Sequence, residues 1–452
     1  MSQRTRHGSA LPRTLGLGSA TALVVGITIG SGIFRSPAGV AQHVGNATAF
    51  IGVWIAGGLL ALTGALSLAE LAAALPESGG YYAYLREAWG PRLAFLFGWT
   101  QLLVLRATAV GGIALVCGEY ALRTLAIDPV AHARQTQIVA ATAILFASAA
   151  NVLGARVGAA IVSASSATKF LALLTLGAAG LLLGDRAAAA APLSGAPPVT
   201  AGGLGLALVS VLWAYDGFGD VSFAGGEVKE PHRTMPRAIV GGTLGVVAAY
   251  LLVNAGYIRT LSMPGIAASP LVAADTMTSI AGPIGAALVS GLVALSTFGA
   301  LNADFLGSPR VFFAMAEDGL FFRAIARVHP RYHTPHVAIA LTAALAIVLV
   351  FSRSFEALTN TFVIAIWPFY GLCVAGLFRL RRTRPEMARP YRVPGYPLVP
   401  AIFIVAVSGF LLNAFIQEPL STGATFAVIL GGLPVYHVAF ASGRRGRGES
   451  SD

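Results

Sequence analysis

Two apolar stretches carry clustered glycines of a kind that interrupts a helix. The first runs from Gly26 to Phe34 with the sequence GITIGSGIF, and the second runs from Trp213 to Asp220 with the sequence WAYDGFGD. A broken helix exposes amide N–H groups at one half-helix end, which attract an anion, and carbonyl oxygens at the other, which attract a cation. Two breaks that face each other would therefore form a dipolar pocket suited to a small zwitterion or an ion.

The position of these stretches favours a binding site over plain helix packing. Glycine also lets membrane helices approach closely, which is the alternative explanation for either cluster. The two clusters, however, lie in the opening helices of two five-helix halves, and paired interruptions at matching places point to a transporter binding site. Asp216 adds an ionisable group in mid-helix, where such groups are costly and by default functional.

The elements that must position these stretches are membrane-spanning helices. Of the 452 residues, 56% are hydrophobic and only 11% are charged, whereas a soluble domain carries roughly 25% charged residues. Apolar runs reach the length of ~18 residues that crosses a bilayer as a helix, and they lack the alternation of a membrane β-barrel. We predict twelve spans, at about residues 17–40, 47–75, 92–121, 135–153, 158–183, 203–223, 236–258, 283–308, 335–351, 357–378, 398–416 and 422–440.

The basic residues follow the topology of these spans. Of the 30 Lys and Arg residues, 22 fall on one side of the predicted membrane and five on the other. This asymmetry predicts that the first side is cytoplasmic and that both termini lie there. The formal net charge of +11 is therefore a topology signal, and a nucleic-acid partner is not expected. We predict a multi-pass protein of the plasma or inner membrane.

Composition and motifs argue against an enzyme. Cys117 and Cys373 both fall inside predicted spans, so we expect no structural disulfide between them, and no metal-ligand spacing is present. There is no phosphate loop for direct use of ATP, no zinc motif and no nucleophile elbow. We expect neither a metal nor another cofactor.

Several motifs, in order along nearly the whole chain, resemble the amino acid–polyamine–organocation (APC) superfamily. They include Gly30-Ser31-Gly32-Ile33-Phe34 in span 1, Glu227-Val228-Lys229-Glu230-Pro231 after span 6, and Arg310 to Gly319 after span 8. Leu105-Arg106-Ala107-Thr108 in span 3 is similar to the L-type amino-acid transporter branch. The resemblance implies an all-α integral membrane protein with a LeuT-like 5+5 inverted repeat and about 12 transmembrane helices.

This fold implies a division of the chain. Residues 1–16 and 441–452 would be cytoplasmic tails, 17–184 the first repeat, 203–378 the second repeat, and 398–440 spans 11 and 12. The residues that the resemblance places at the substrate are Ile27, Thr28, Gly30, Ser31, Gly32, Trp213, Ala214, Asp216 and Phe218. Amides near Ser31 and Gly32 would hold a carboxylate, and carbonyls of both breaks would hold an ammonium. Trp213 would close the outer side, and Phe218 would line the side-chain pocket.

Three charged residues outside the two breaks are also candidates for a role in transport. Lys169 would take the place of the ion bound by sodium-coupled relatives, with snorkelling to the interface as the alternative. Arg106 is a candidate accessory residue of the substrate site. The alternative is a structural ion pair with Glu119 or Asp216. Glu227 is expected at a cytoplasmic gate rather than at the substrate.

The sequence departs from the family at points that affect side-chain recognition and partners. Phe218 stands where many L-type relatives have Trp, and Asp216 stands where some have Gly, which leaves a role for the Asp216 side chain open. No Cys lies between spans 3 and 4, where animal L-type chains bond to a heavy chain. We therefore expect no disulfide-linked heavy chain, and a monomer or loose oligomer.

The function that follows is secondary active transport of amino acids by alternating access. Neutral substrates are favoured because the pocket lacks an obvious extra acid apart from Asp216. Sodium-independent exchange and proton symport both remain open. The alternatives are a membrane amino-acid sensor that does not transport, and a transporter of polyamines or cationic amino acids.

Overall fold

The chain is a bundle of long apolar helices. The computed structural model describes residues 13–77, 79–154, 169, 172–185, 198–307, 311–312, 315–316, 318–322, 324–325, 327–332 and 334–441. The helices are α1 (Leu17–Thr28), α2 (Gly32–Val44), α3 (Ala47–Ala74), α4 (Tyr81–Trp89), α5 (Pro91–Thr124), α6 (Ala133–Leu153), α7 (Ala172–Leu183), α8 (Ala201–Ala214), α9 (Pro231–Thr260), α10 (Met263–Ala268), α11 (Val272–Gly307), α12 (His336–Ser352), α13 (Phe355–Thr383), α14 (Leu398–Gln417), α15 (Pro419–Leu430) and α16 (Gly432–Tyr436). A π turn (Gln101–Leu105) lies inside α5, and a 3-10 helix (Asp220–Glu227) follows α8.

These helices match the predicted spans in number and order. Within the described residues, eight helices are long and apolar enough to cross a bilayer, and α1 with α2 forms a further span bent by 42°. Three shorter apolar helices, α7, α8 and α12, stand at predicted spans 5, 6 and 9. Most of predicted span 5 lies outside the described residues; Lys169 and 172–185 are its described part.

Side-chain caps fix where several spans begin. Asn46 accepts a hydrogen bond from the amide of Ala49 at the start of α3, and Thr200 accepts one from Gly203 at the start of α8. Ser354 does the same for Ala357 at the start of α13. Each cap satisfies an N–H group that the first helical turn leaves without a partner. The end of the bundle that carries Leu15 and Arg381 is called the terminus face. The three capped starts lie at the other end, which is called the opposite face.

The helices pack in two groups. In the first, α9 packs along α3 and α1, and α8 packs along α2 and α3. In the second, α11 and α12 both pack along α5 and α6. The functional residues predicted from sequence lie mainly on the first group, and α11, α5 and α13 complete the walls around them.

Ion pairs join the ends of several helices at the terminus face. Glu70, at the end of α3, is 1% exposed and accepts two hydrogen bonds from Arg381, at 2.9 and 2.6 Å, and one from the amide of Val393. Arg86 of α4 pairs with Asp318 at 2.6 Å. Because Glu70 is deeply buried, its carboxylate depends on these donors for the hydrogen bonds that water would otherwise provide.

Candidate functional site

The break in the first span is a tight turn between two half-helices. The helix α1 ends at Thr28, whose carbonyl oxygen accepts a hydrogen bond from the amide of Gly30 at 2.9 Å, and α2 begins at Gly32. The first amides of α2 have no carbonyl partner inside the helix. The hydroxyl of Ser31 is buried and has no hydrogen-bond partner among the described residues. This end of the break therefore presents donors to a ligand.

The break in the sixth span depends on a glycine. The helix α8 ends at Ala214, and Gly217 follows with φ of +99°, a conformation that favours glycine. The chain then resumes as the 3-10 helix that starts at Asp220. The predicted interruption of both spans is thus present, and in the second break the chain changes from an α-helix to a 3-10 helix.

The two breaks cross in direct contact. A Cβ atom on Gly32 would come 2.4 Å from Cα of Ala214, and one on Gly217 would come 2.8 Å from Cγ2 of Ile27. Both distances are far below a van der Waals contact. Gly32 meets backbone and does not tolerate a side chain without backbone movement, whereas at Gly217 the side chain of Ile27 would have to shift and the positive φ would be strained. The sequence left two explanations for the glycines, close helix packing and a break in the helix. Both apply here.

A tyrosine from the seventh span joins the two breaks. The hydroxyl of Tyr250, in α9, lies 2.9 Å from the carbonyl oxygen of Thr28 and 3.1 Å from that of Ala214. Its ring packs edge-on against Trp54 and is fully buried. Sequence reasoning missed this residue, because a tyrosine in an apolar helix carries no local sign of the two distant carbonyls that it reaches.

A cavity of ≈ 180 Å³ lies against the breaks. Eight residues named from the sequence line it, namely Ile27, Thr28, Gly30, Ser31, Gly32, Trp213, Asp216 and Arg106. Most of the other lining residues come from the middle of the bundle or from the half nearer the terminus face, such as Tyr81, Phe223 and Gly307. The cavity therefore extends from the breaks towards the terminus face and not towards the opposite face.

Aromatic rings and ion pairs close the cavity towards the opposite face. Trp213 meets the ring of Phe362 edge-on, with centroids 5.0 Å apart, and the ring of Phe355 at 6.2 Å. Beyond them Arg35 pairs with Glu356 at 2.8 Å and with Glu119 at 3.4 Å. Trp213 therefore lies on this side of the cavity, and the closing role that the resemblance implies for it stays a prediction.

Comparison with known proteins identifies the family. The sequence model of the family described as amino acid permease matches residues 15–438. The serine/threonine exchanger SteT of Bacillus subtilis (strain 168) is 32% identical over 433 residues, which are 95% of this chain and 97% of that protein. The human cystine/glutamate transporter is 31% identical over 95% of this chain and 85% of its own length. The human b(0,+)-type amino acid transporter 1 is 32% identical over 91% and 84%.

The chain belongs to the amino acid permease family. It is an integral membrane protein with the LeuT-like fold of about twelve spans, and it is an amino acid transporter and not an enzyme. The recognition of the APC superfamily from its motifs is confirmed. The individual roles of the site residues stay predictions.

Four of the predicted site residues lie outside the cavity wall of this permease. They are Ala214, Phe218, Lys169 and Glu227. Phe218 is buried against Tyr370 and Trp367, with ring centroids 5.5 and 6.3 Å away, because Gly217 turns the backbone so that the ring points into the packing between helices. Phe218 was expected to line the side-chain pocket, but in the structure it does not line the cavity.

Ala214 and Glu227 contribute through the backbone. The carbonyl of Ala214 meets Tyr250, as described above, while its Cα packs on Gly32. The carbonyl oxygen of Glu227 accepts hydrogen bonds from the amides of Thr14 and Leu15 at 2.9 and 3.0 Å. Glu227 therefore lies at the terminus face, away from the cavity wall.

Lys169 is buried beside the first break. Its side chain is 1% exposed, and its ammonium lies 3.2 Å from the carbonyl oxygen of Gly26 in the last turn of α1. A lysine that snorkels would place its ammonium at the interface, and this one instead meets the carbonyl end of a half-helix. The ammonium of Lys169 is thus a cation placed against the carbonyl end of α1.

Arg106 forms an ion pair that the sequence did not reveal. The sequence left Glu119 or Asp216 as partners, whereas the structure pairs Arg106 with Asp304 of α11. Glu119 stands 13 residues further along α5, roughly 20 Å away at 1.5 Å per residue, and it pairs with Arg35 instead. Asp216 accepts a hydrogen bond from the hydroxyl of Tyr370 at 2.8 Å.

The structure adds two acidic residues to the cavity. Asp220 and Asp304 both line it together with Asp216, so that three carboxylates surround the guanidinium of Arg106. Among the described residues, no group of three His, Cys, Asp or Glu side chains is placed to hold a metal ion. Cys117 and Cys373 are free and buried.

Proposed function

We propose that this permease exchanges small neutral amino acids across the plasma or inner membrane without sodium. The observation that carries the proposal is the crossing of two broken helices at the closed end of a cavity. The α-carboxylate would bind the amides of the first turn of α2 and the hydroxyl of Ser31. The α-ammonium would bind carbonyl oxygens that end α1 and α8, among them those of Ile27 and Trp213. Opposite charges would thus meet opposite half-helix ends.

Independence from sodium is supported by Lys169. Its buried ammonium already lies against the carbonyl of Gly26, and a second cation at the same place would be repelled at short range. We propose that this amine stabilises the end of α1 in the way that a bound ion would. Transport would then be driven by the gradient of the exchanged amino acid.

The preference for neutral side chains is supported by the pairing of Arg106 within the protein and by similarity. Arg106, the cation in the described cavity wall, is already paired with Asp304. SteT, which is similar over 95% of this chain, is named a serine/threonine exchanger. Small neutral amino acids such as serine and threonine would need no charged partner for the side chain.

Alternating access is supported by the one-sided cavity and by the two packing groups. The group of α1, α2, α3, α8 and α9 would rock against the group of α5, α6, α11 and α12. The amino acid would favour the occluded intermediate because it binds that state better. With both termini in the cytoplasm, as the basic residues predict, the open cavity corresponds to an inward-facing state. We further propose a monomer or loose oligomer without a disulfide-linked heavy chain.

The test is uptake of radiolabelled amino acids into proteoliposomes. Vesicles filled with unlabelled serine should take up labelled serine, whereas empty vesicles should not, and neither sodium nor a pH gradient should change the rate. Uptake into empty vesicles driven by the pH gradient would establish proton symport instead. Binding without any uptake would indicate a sensor, and a preference for lysine or polyamines over serine would overturn the neutral class.

A further inference from the structure

An internal ion pair occupies the wall of the substrate cavity. Arg106 donates through its Nε to the side-chain oxygen of Gln101 at 2.8 Å and pairs through Nη1 with Asp304. All three residues line the cavity, and the side chains of Arg106 and Asp304 are only 13% and 11% exposed. Gln101 and Arg106 stand at the two ends of the π turn, in which the backbone amide of Arg106 bonds to the carbonyl oxygen of Gln101 in an i to i+5 pattern.

An unpaired guanidinium in this place would be a binding group for carboxylates. Arginine presents N–H donors in a fixed fork that matches a carboxylate, and its attraction is strong where water is excluded. In this chain Asp304 supplies that carboxylate from within the protein. Asp220 and Asp216 add two further acidic groups to the same cavity.

We propose that Asp304 determines substrate specificity by occupying Arg106. Its carboxylate takes the place on the guanidinium that the side-chain carboxylate of glutamate or aspartate would take, so acidic amino acids are excluded. The inference rests on the proposed transport of amino acids through this cavity, and it assigns to Asp304 the part of the rejection that depends on the ion pair with Arg106. Asp304 is a specificity residue that acts through Arg106.

The experiment compares glutamate and serine exchange in proteoliposomes. Asp304→Asn should raise the ratio of glutamate to serine uptake by roughly tenfold or more, because removing a like charge beside an incoming carboxylate removes a large penalty. Asp304→Ser is a second variant, for the case that the asparagine variant is not stably folded. Elution of each variant as a single peak in detergent and its serine exchange report on folding.

Two controls identify the origin of the effect. Asp275→Asn removes an aspartate from the same helix and breaks a similar pair, 3.1 Å from Arg123, outside the cavity wall. The uptake ratio of this variant should equal that of the unchanged protein. Combining Asp304→Asn with Arg106→Gln should abolish the gained glutamate uptake, because the guanidinium that binds it is gone.

The outcomes separate the two proposals. An unchanged glutamate-to-serine ratio in both folded Asp304 variants overturns the specificity role and leaves serine exchange standing. A raised ratio that persists after Arg106→Gln also overturns it, because the gain would not depend on the guanidinium. Failure of serine exchange in the unchanged protein, by contrast, contradicts the proposed function itself.

Discussion

The hydroxyl of Tyr250 lies 2.9 Å from the carbonyl oxygen of Thr28, the last residue of α1. The same hydroxyl lies 3.1 Å from the carbonyl of Ala214, the last residue of α8. One side chain of a continuous helix therefore spans the ends of both half-helices. It fixes their relative position at the point where the proposed ammonium site lies.

Tyr250→Phe should weaken serine transport by roughly tenfold, which corresponds to the loss of about 1.4 kcal/mol of hydrogen bonding. The expected effect is a higher KM, measured by initial rates of exchange in proteoliposomes. The matched control is Tyr257→Phe on the same helix, whose hydroxyl lies 3.4 Å from the carbonyl of Ile33 and forms a weaker bond. Equal effects of the two variants would argue against a special role for Tyr250.

Gly32→Ala should abolish exchange, because its new Cβ would lie 2.4 Å from Cα of Ala214 and would force the two breaks apart. The loss should appear as a serine exchange rate near that of empty liposomes, in protein that still inserts into the membrane. Gly18→Ala provides the control in α1, since no atom lies within 4 Å of the new Cβ. Full activity of the Gly32 variant would mean that the breaks separate freely.

Lys169→Ala should lower exchange at least roughly tenfold, since the carbonyl end of α1 loses the cation that stabilises it. The measurement is serine exchange with and without sodium. Lys229 is the other lysine of the chain and is exposed on the terminus face, so Lys229→Ala should exchange normally. A Lys169 variant with undiminished exchange would refute its proposed place as an ion substitute.

Glu70→Gln should lower the melting temperature by several degrees, because it breaks a buried pair and leaves Arg381 without its carboxylate. The free-energy loss on breaking such a pair is about 3 kcal/mol, and thermal unfolding in detergent measures it. Glu77, half exposed beside Arg86, gives the matched surface control, and Glu77→Gln should change stability by less than about 1 kcal/mol. Similar melting points for both variants would contradict a structural role for the Glu70 pair.

The spans and the two helix breaks could be predicted from the sequence, because short stretches of the chain encode them. Runs of apolar residues of bilayer length gave the spans in their order, and the glycine clusters gave both breaks. It did not predict the partners of Tyr250, Arg106 or Arg35, since each pairing joins residues that are far apart in the chain. Asp304 is 198 positions from Arg106, and only the packing of α11 on α5 brings them together.

The place of Phe218 shows a second kind of limit. The resemblance implied that Phe218 lines the side-chain pocket, but Gly217, with its positive φ of +99°, lies between Phe218 and Asp216. Asp216 consequently faces the cavity, whereas Phe218 packs among Trp367 and Tyr370. A side chain beside a break cannot be assigned a direction without the dihedral angles of that break.

The backbone pairing of Leu15 with the segment after the second break has a practical consequence. The amide of Leu15 bonds to the carbonyl of Glu227, and the amide of Lys229 bonds back to Leu15 at 2.8 Å. The chain just before α1 is thus fastened to the chain just after the 3-10 helix. A truncation that removes Thr14 and Leu15 would break this junction, so protein prepared for transport assays should retain both residues.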